Sequence, residues 1–339
     1  MPPPILSVRN LTTKLQIGKD RWTIVDKLGF DLYRGKTLAL VGESGCGKSM
    51  TALSLMRILP QPPALPPEGD VIYKGANLLA LSEKEMRRIR GSKLAMIFQD
   101  PMSALNPVYT IGNQLIEVAE MHLNLFGNEA LARARDALQA VGIPDADKRL
   151  SNYPHQLSGG LKQRIMIAMA LMCEPDVLIA DEPTTALDVT IQAQVLKLIR
   201  DLQEKNGMAL LLITHDMGVV AEMADDVIVM YTAQGIERGA SEDIFEHCAH
   251  PYTLGLFQSR PSLSSPKGKL KPIKGQVPSF RHMPSGCRFH PRCPFAMEKC
   301  RSGNVPDFSL SPDHITKCWL YDQSAESRHQ LEQSSLEKK

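Results

Sequence analysis

The 339 residues are 43% hydrophobic and 22% charged, a globular composition that excludes a mostly disordered or collagen-like chain. Thirty-nine basic residues against thirty-seven acidic leave a formal charge of +2, so charge makes no case for nonspecific nucleic-acid binding. The length exceeds the roughly 250 to 300 residues at which a single core stops growing, and one large domain with an appendage fits it best.

In chain order, residues 5 to 41 carry short β-type runs that end in Thr37–Val41, an apolar stretch suited to a strand buried on both faces. A glycine-rich turn follows, then a predicted helix over 49–59 that stops where Pro60, Pro62 and Pro63 enter. Strands are predicted over 70–75 and 94–98. Helical periodicity over 111–142, between Pro107 and Pro144, marks 101–165 as a helical insertion. Strands over 177–180, 209–214 and 227–231 alternate with helices over 161–172 and 190–205, the rhythm of an α/β domain with a mostly parallel sheet.

The expected organisation is a core over 1–260, a linker-like segment rich in Pro, Lys, Ser and Gly over 261–286, a cysteine-rich extension over 287–321 forming a separate lobe, and a polar tail over 322–339. No apolar run approaches the roughly 20 residues that span a bilayer. The start of the chain has no signal-peptide pattern, so a cytosolic location with reduced thiols is expected, which disfavours disulfides among the seven cysteines.

Gly42-Glu43-Ser44-Gly45-Cys46-Gly47-Lys48-Ser49 fits G-x-x-x-x-G-K-[ST] between a predicted strand and a predicted helix. Its glycines let backbone N–H groups turn around phosphate oxygens, Lys48 can reach the β and γ phosphates, and Ser49 can ligate Mg²⁺. Cys46 lies inside this loop, where an added alkyl group would take space meant for the nucleotide and where the helix N-terminus pushes the thiol pKa down. Val177-Leu178-Ile179-Ala180-Asp181-Glu182 reads as a buried strand ending in two carboxylates at the sheet's carboxyl edge. Asp181 suits a Mg²⁺ contact through water, and Glu182 suits the group that polarises an attacking water.

Leu157-Ser158-Gly159-Gly160-Leu161-Lys162-Gln163 resembles the signature motif of ATP-binding cassette (ABC) ATPases. Physically it is a Ser/Gly turn before a helix, able to receive a γ-phosphate and equally readable, by itself, as a helix N-cap. The resemblance implies an ABC-type α/β core with an antiparallel β subdomain, an inserted helical subdomain, and ATP with Mg²⁺ as ligands. It implies that Ser158, Gly159 and Gly160 meet the γ-phosphate held by an opposite subunit. It further implies that Gln99 contacts Mg²⁺ and water, Asp188 lies at a dimer contact after Ala186-Leu187, and His215 hydrogen-bonds the γ-phosphate. Trp22 is the best placed aromatic for stacking adenine, with a half-buried core tryptophan as the alternative.

His250-Pro251-Tyr252-Thr253, followed by Cys287, Cys293, Cys300 and Cys318, resembles the C-terminal extension of ATPases that serve dipeptide and oligopeptide importers, as do Ile97-Phe98-Gln99-Asp100-Pro101 and Tyr153-Pro154-His155-Gln156-Leu157. This resemblance implies a [4Fe–4S] cluster on the four cysteines, with a four-cysteine zinc site as the alternative. Its further implications are a homologous second ATPase forming a heterodimer, two transmembrane permeases, a substrate-binding protein, and a peripheral place on the cytoplasmic face of the inner membrane. Importers of nickel, murein peptides, glutathione or antimicrobial peptides use similar ATPases. A non-transport ABC protein acting on DNA or ribosomes is the other alternative, disfavoured by the absence of a coiled-coil series and of a second cassette.

Overall fold

A computed structural model describes residues 2–100, 104–185, 188–259 and 272–322. Pro101, the Ala186-Leu187 pair, residues 260–271 at the head of the linker-like segment, and the tail from 323 lie outside the described residues.

Among the described residues, two sheets form the frame. The first is antiparallel in the order β2-β1-β4-β5, built from β1 (Leu6–Ile17), β2 (Asp20–Leu32), β4 (Glu68–Tyr73) and β5 (Ala76–Asn77). The second has eight strands in the order β11-β12-β10-β9-β3-β8-β7-β6. Its middle comprises β3 (Thr37–Val41), β6 (Leu94–Ile97), β7 (Val177–Asp181), β8 (Ala209–Thr214) and β9 (Asp226–Tyr231), all parallel.

These central strands are apolar without a break because both faces are covered. Along β7, Val177 and Ile179 join the core shared with the antiparallel sheet and with α1 (Lys48–Leu55), whereas Leu178 and Ala180 join the core under the helices. In β8, Leu211 and Ile213 take the first side and Leu210 and Leu212 the second, the period of two that a strand imposes.

Helices over Ile111–Val118, Asn128–Ala140, Ala146–Leu150 and Gly159–Leu171 fill the chain between β6 and β7. The single helix expected over 111–142 is broken. A wide turn over Ala119–Leu123 ends at Asn124 in the left-handed region (φ 53°), Gly127 takes a positive φ that a glycine reaches easily, and the chain restarts at Asn128. The helix after the glycine-rich loop also stops earlier than expected, at Leu55 rather than at the prolines. Arg57 turns left-handed there (φ 53°), and its guanidinium donates to the carbonyls of Leu78 and Leu81 at 2.9 and 2.7 Å.

The C-terminal segment does not stand apart as a separate lobe. β12 (Ile315–Thr316) pairs antiparallel with β10 (Gln234–Ala240), and β11 (Phe308–Ser309) pairs with β12, so the extension continues the core sheet. Buried Glu237 fastens the same region: its carboxylate accepts from the Ala249 and His250 amides, Thr253 Oγ1 and His314 Nε2. No helix among the described residues is long and apolar enough to cross a membrane.

Candidate nucleotide site

β3 runs into loop 42–49 at the carboxyl edge of the parallel sheet, and α1 leads out of it. Two glycines there are demanded by close approach. A Cβ on Gly42 would lie 2.2 Å from the Met230 carbonyl oxygen, and one on Gly47 (φ 108°) would lie 2.4 Å from that of Ile24, so any side chain would push the loop off the strands.

The tight turn between β9 and β10 braces the loop. Thr232 and Ala233 both take positive φ, 38° and 71°, as a two-residue hairpin turn requires without any glycine at either position. Ala233 N–H donates to the Cys46 carbonyl at 2.8 Å.

Lys48 is buried, with Nζ donating to the carbonyls of Gly42 and Glu43 at 2.8 and 3.1 Å. Cys46 corrects its expectation. Its side chain is fully buried in the core beneath the loop, and burial pushes the thiol pKa up, outweighing the lowering that Lys48 supplies through its charge and its backbone N–H at the helix start.

At the end of β7, Asp181 is buried and accepts from Ser49 Oγ at 3.0 Å. Burial is the main cause that raises its carboxyl to about 6; the Glu182 charge adds to this, and Ser49 and Lys48 oppose it. Glu182 adopts φ 46°, an unusual region for a residue with a side chain and one often found at functional sites, while its N–H is held by the Ile213 carbonyl at 2.8 Å.

Three groups converge on the Glu182 carboxylate. Gln99 Nε2, after β6, donates to Oε2 at 3.1 Å; Thr185 Oγ1 donates to the same oxygen at 2.8 Å; and His215 Nδ1, after β8, lies 3.2 Å from Oε1. Carboxyl ends of three adjacent strands therefore meet on one acid, beside the Ser49–Asp181 pair. Sequence reasoning named Gln99, Glu182 and His215 but gave Thr185 no role; its position three residues after Glu182 was the available signal.

The remaining expected residues lie on other elements. Ser158 caps the helix Gly159–Leu171, its Oγ accepting from Leu161 N–H at 3.4 Å, and Gln163 from that helix reaches the Pro183 carbonyl. Asp188 caps the helix Val189–Asn206 by accepting from Ile191 N–H at 2.9 Å. Trp22 is half-buried on β2, and the Arg281 guanidinium lies 4.7 Å above its ring.

Cys287, Cys293, Cys300 and Cys318 converge, with Phe295, Met297 and Leu320, in one small apolar cluster, none of the four in a disulfide. Burial raises Cys287 to about 11 and Cys293 to about 12, and each thiolate would further raise its neighbours. Among the described residues, no group of three or more His, Cys, Asp or Glu side chains is arranged to hold a metal ion. The metal expected in this extension therefore has converging thiols but no closed coordination sphere.

Residues 25–185 match the family model described as ABC transporter, and residues 236–300 match the one described as oligopeptide/dipeptide transporter, C-terminal region. The chain is 49% identical over 322 residues to the dipeptide transport ATP-binding protein DppD of Bacillus subtilis (strain 168), covering 95% of this chain and 96% of that protein. It belongs to the ABC transporter family, among the oligopeptide/dipeptide ATP-binding subunits. The oligopeptide transport ATP-binding protein OppD of Haemophilus influenzae is 45% identical to this ABC ATPase, over 94% of the chain and 97% of the relative.

Among solved structures, cbiO1 of Clostridium perfringens, part of an ABC transporter complex, aligns with a TM-score of 0.61 at 28% identity, covering 73% of this chain and 92% of the other. The cassette MJ0796 bound to ADP and phosphate aligns with a TM-score of 0.62 at 24% identity, over 70% and 98% of the two chains, and agrees in fold. This ABC subunit is an ATPase.

Proposed function

We propose that this ABC ATPase binds Mg²⁺·ATP on loop 42–49 and hydrolyses it to drive import of dipeptides or oligopeptides. The observation that carries the reading is the meeting of Gln99, Thr185 and His215 on Glu182, next to the Ser49–Asp181 pair. The loop amides and Lys48 are suited to cradle the phosphates, and Ser49, Asp181 and Gln99 are the groups that would hold Mg²⁺, which when bound neutralises phosphate charge. Glu182 orients the attacking water and accepts its proton as the bond to γ-phosphorus forms and ADP departs; His215 holds the carboxylate and can donate to the γ-phosphate.

Ser158, Gly159 and Gly160 form a helix start, which suits contact with a nucleotide bound to another subunit, and Asp188, the cap of the next long helix, is proposed to lie near that contact. A homologous ATPase is the proposed partner in a heterodimer, docked on two permeases at the cytoplasmic face of the inner membrane and served by a substrate-binding protein. Trp22 is proposed as the adenine platform. The proposed division keeps a core over 1–260, its helical part over 101–165, a connecting segment over 261–286, the cysteine-rich part over 287–321 and a tail over 322–339.

For the cysteine cluster we infer a [4Fe–4S] centre, with zinc as the alternative. The gathering of four cysteines, two buried and two half-buried, in one cluster supports it, because mutual repulsion of thiolates is relieved by a bound metal. Such a centre would cross-link the extension. Metal analysis of anaerobically purified protein decides it: about four irons per chain supports the cluster, one zinc the alternative, and neither metal rejects both. The ATP reading is tested by Lys48→Ala, which should abolish tight nucleotide binding while leaving the fold intact; unchanged ATP affinity would overturn it.

A further inference from the structure

We propose that the cysteine-rich extension is a working part of the nucleotide site, with Arg292 positioning the phosphate loop through Glu43. The inference rests on the ATP reading above and adds to it a residue that lies 249 positions away in sequence.

Glu43 is the second residue of the loop, and the C-terminal half of the molecule grips it at two points. Its backbone N–H donates to Tyr252 Oη at 2.7 Å, so this amide is committed to the C-terminal helix Pro251–Gln258. Its carboxylate receives both terminal nitrogens of Arg292, at 2.6 and 3.0 Å, in the bidentate geometry that fixes orientation as well as distance.

Arg292 is no loose surface partner. Only 4% of its side chain is exposed, Nε donates to the Lys274 carbonyl at 3.1 Å, and one terminal nitrogen also reaches Tyr231 Oη at 3.3 Å. Tyr231, Tyr252 and Phe289 pack ring against ring beside it, with centroids 4.7 to 5.4 Å apart. Its backbone belongs to the short turn His290–Arg292, closed on Cys287 and running directly into Cys293. Arg292 therefore links the turn beside the cysteine cluster directly to the phosphate loop.

Two consequences follow for ATP. The grip narrows the conformations open to the loop ahead of Gly45, the glycine with open space around it, so less ordering remains to be done when phosphate binds. Arg292 also neutralises a carboxylate that would otherwise repel the incoming phosphates. Arg292 touches Glu43 and not the ligand, so it is a positioning residue.

A double-mutant cycle on the assembled transporter tests this, with ATP KM, kcat and thermal unfolding measured for each variant. Arg292→Met should raise KM roughly tenfold with kcat changed less than about twofold, the pattern of lost binding without lost chemistry. In the Glu43→Gln background the same substitution should change KM by less than about twofold, because the charge it neutralised is gone. Equal effects in both backgrounds, or lowered thermal stability with unchanged KM, would show a structural role only and overturn the inference. Should Arg292→Met fail to fold, Tyr252→Phe removes one hydroxyl and keeps the ring; a KM raised about threefold supports the grip, and an unchanged KM contradicts it. Lys48→Ala is run in parallel: if it leaves ATP binding intact, the ATP reading itself fails, whereas loss of binding in Lys48→Ala with unchanged KM in Arg292→Met and Tyr252→Phe rejects this inference alone.

Discussion

Ser49 Oγ donates to Asp181 Oδ1 at 3.0 Å and so ties the first turn of α1 to the last residue of β7. Burial, the leading cause, holds the Asp181 carboxyl up to about 6 from an ordinary 3.8. The proton must leave before a cation can bind, so Mg²⁺-dependent ATP binding should weaken below pH 6, approaching tenfold per unit. A folded value above the unfolded one means that ionisation opposes folding, fully above pH 6 and not at all below 3.8. Asp181→Asn should therefore flatten the Mg²⁺ profile and raise thermal stability at pH 7. Nucleotide binding titrated with Mg²⁺ from pH 5 to 8 checks the first effect; a wild-type profile without an inflection near 6 contradicts it.

Cys46 is sealed beneath its loop, with a thiol whose pKa is raised by burial. Brief maleimide treatment of folded protein should leave it unmodified and ATPase activity intact, while denatured protein reacts quickly. Peptide mass spectrometry reads the outcome, and fast labelling of the native protein would contradict the burial.

Trp22 carries the Arg281 guanidinium over its ring at 4.7 Å. If adenine stacks on the same indole, Trp22→Ala should weaken ATP binding about tenfold, an ordinary loss for a base stacked on an aromatic ring. In a Trp319→Phe background, ATP should also change the remaining tryptophan fluorescence. Unaltered affinity in Trp22→Ala would leave Trp22 as the partner of Arg281 alone.

Glu237 accepts four hydrogen bonds from the segment that follows β10 and from His314. Glu237→Gln should lower stability by about 3 kcal/mol, because several buried donors lose a charged acceptor together. The neighbouring His250 is buried, and burial lowers its pKa to about 4, with Glu237 partly opposing. A histidine whose folded value lies below 6.5 contributes stability that is complete above 6.5 and lost as the pH falls toward 4. Thermal unfolding should show that loss in wild type and less of it in His250→Gln.

Local pattern made much of this site legible. The strand-loop-helix around Lys48 and the apolar strand ending in Asp181-Glu182 are each written in consecutive residues, and their chemistry follows from residue type. Gln99, Glu182 and His215 were readable as strand-end groups, although only the parallel order of β6, β7 and β8 makes them neighbours. Long-range side-chain contacts left no such trace. Nothing near Glu43 announces Arg292, and nothing in the run of prolines and lysines before Cys287 announces that β12 joins β10. The helix break at Asn124 was hidden because apolar periodicity continues on both sides of it, while its cause is backbone conformation at two residues. The burial of Cys46 was hidden because position within a motif says nothing about which way a side chain points.

The most direct test of the whole account is peptide-stimulated ATP hydrolysis by the assembled transporter carrying Glu182→Gln. The amide keeps the shape of the side chain but cannot accept a proton from water. The account predicts retained ATP binding with hydrolysis and peptide uptake reduced by at least about a hundredfold; wild-type hydrolysis in this variant would contradict it.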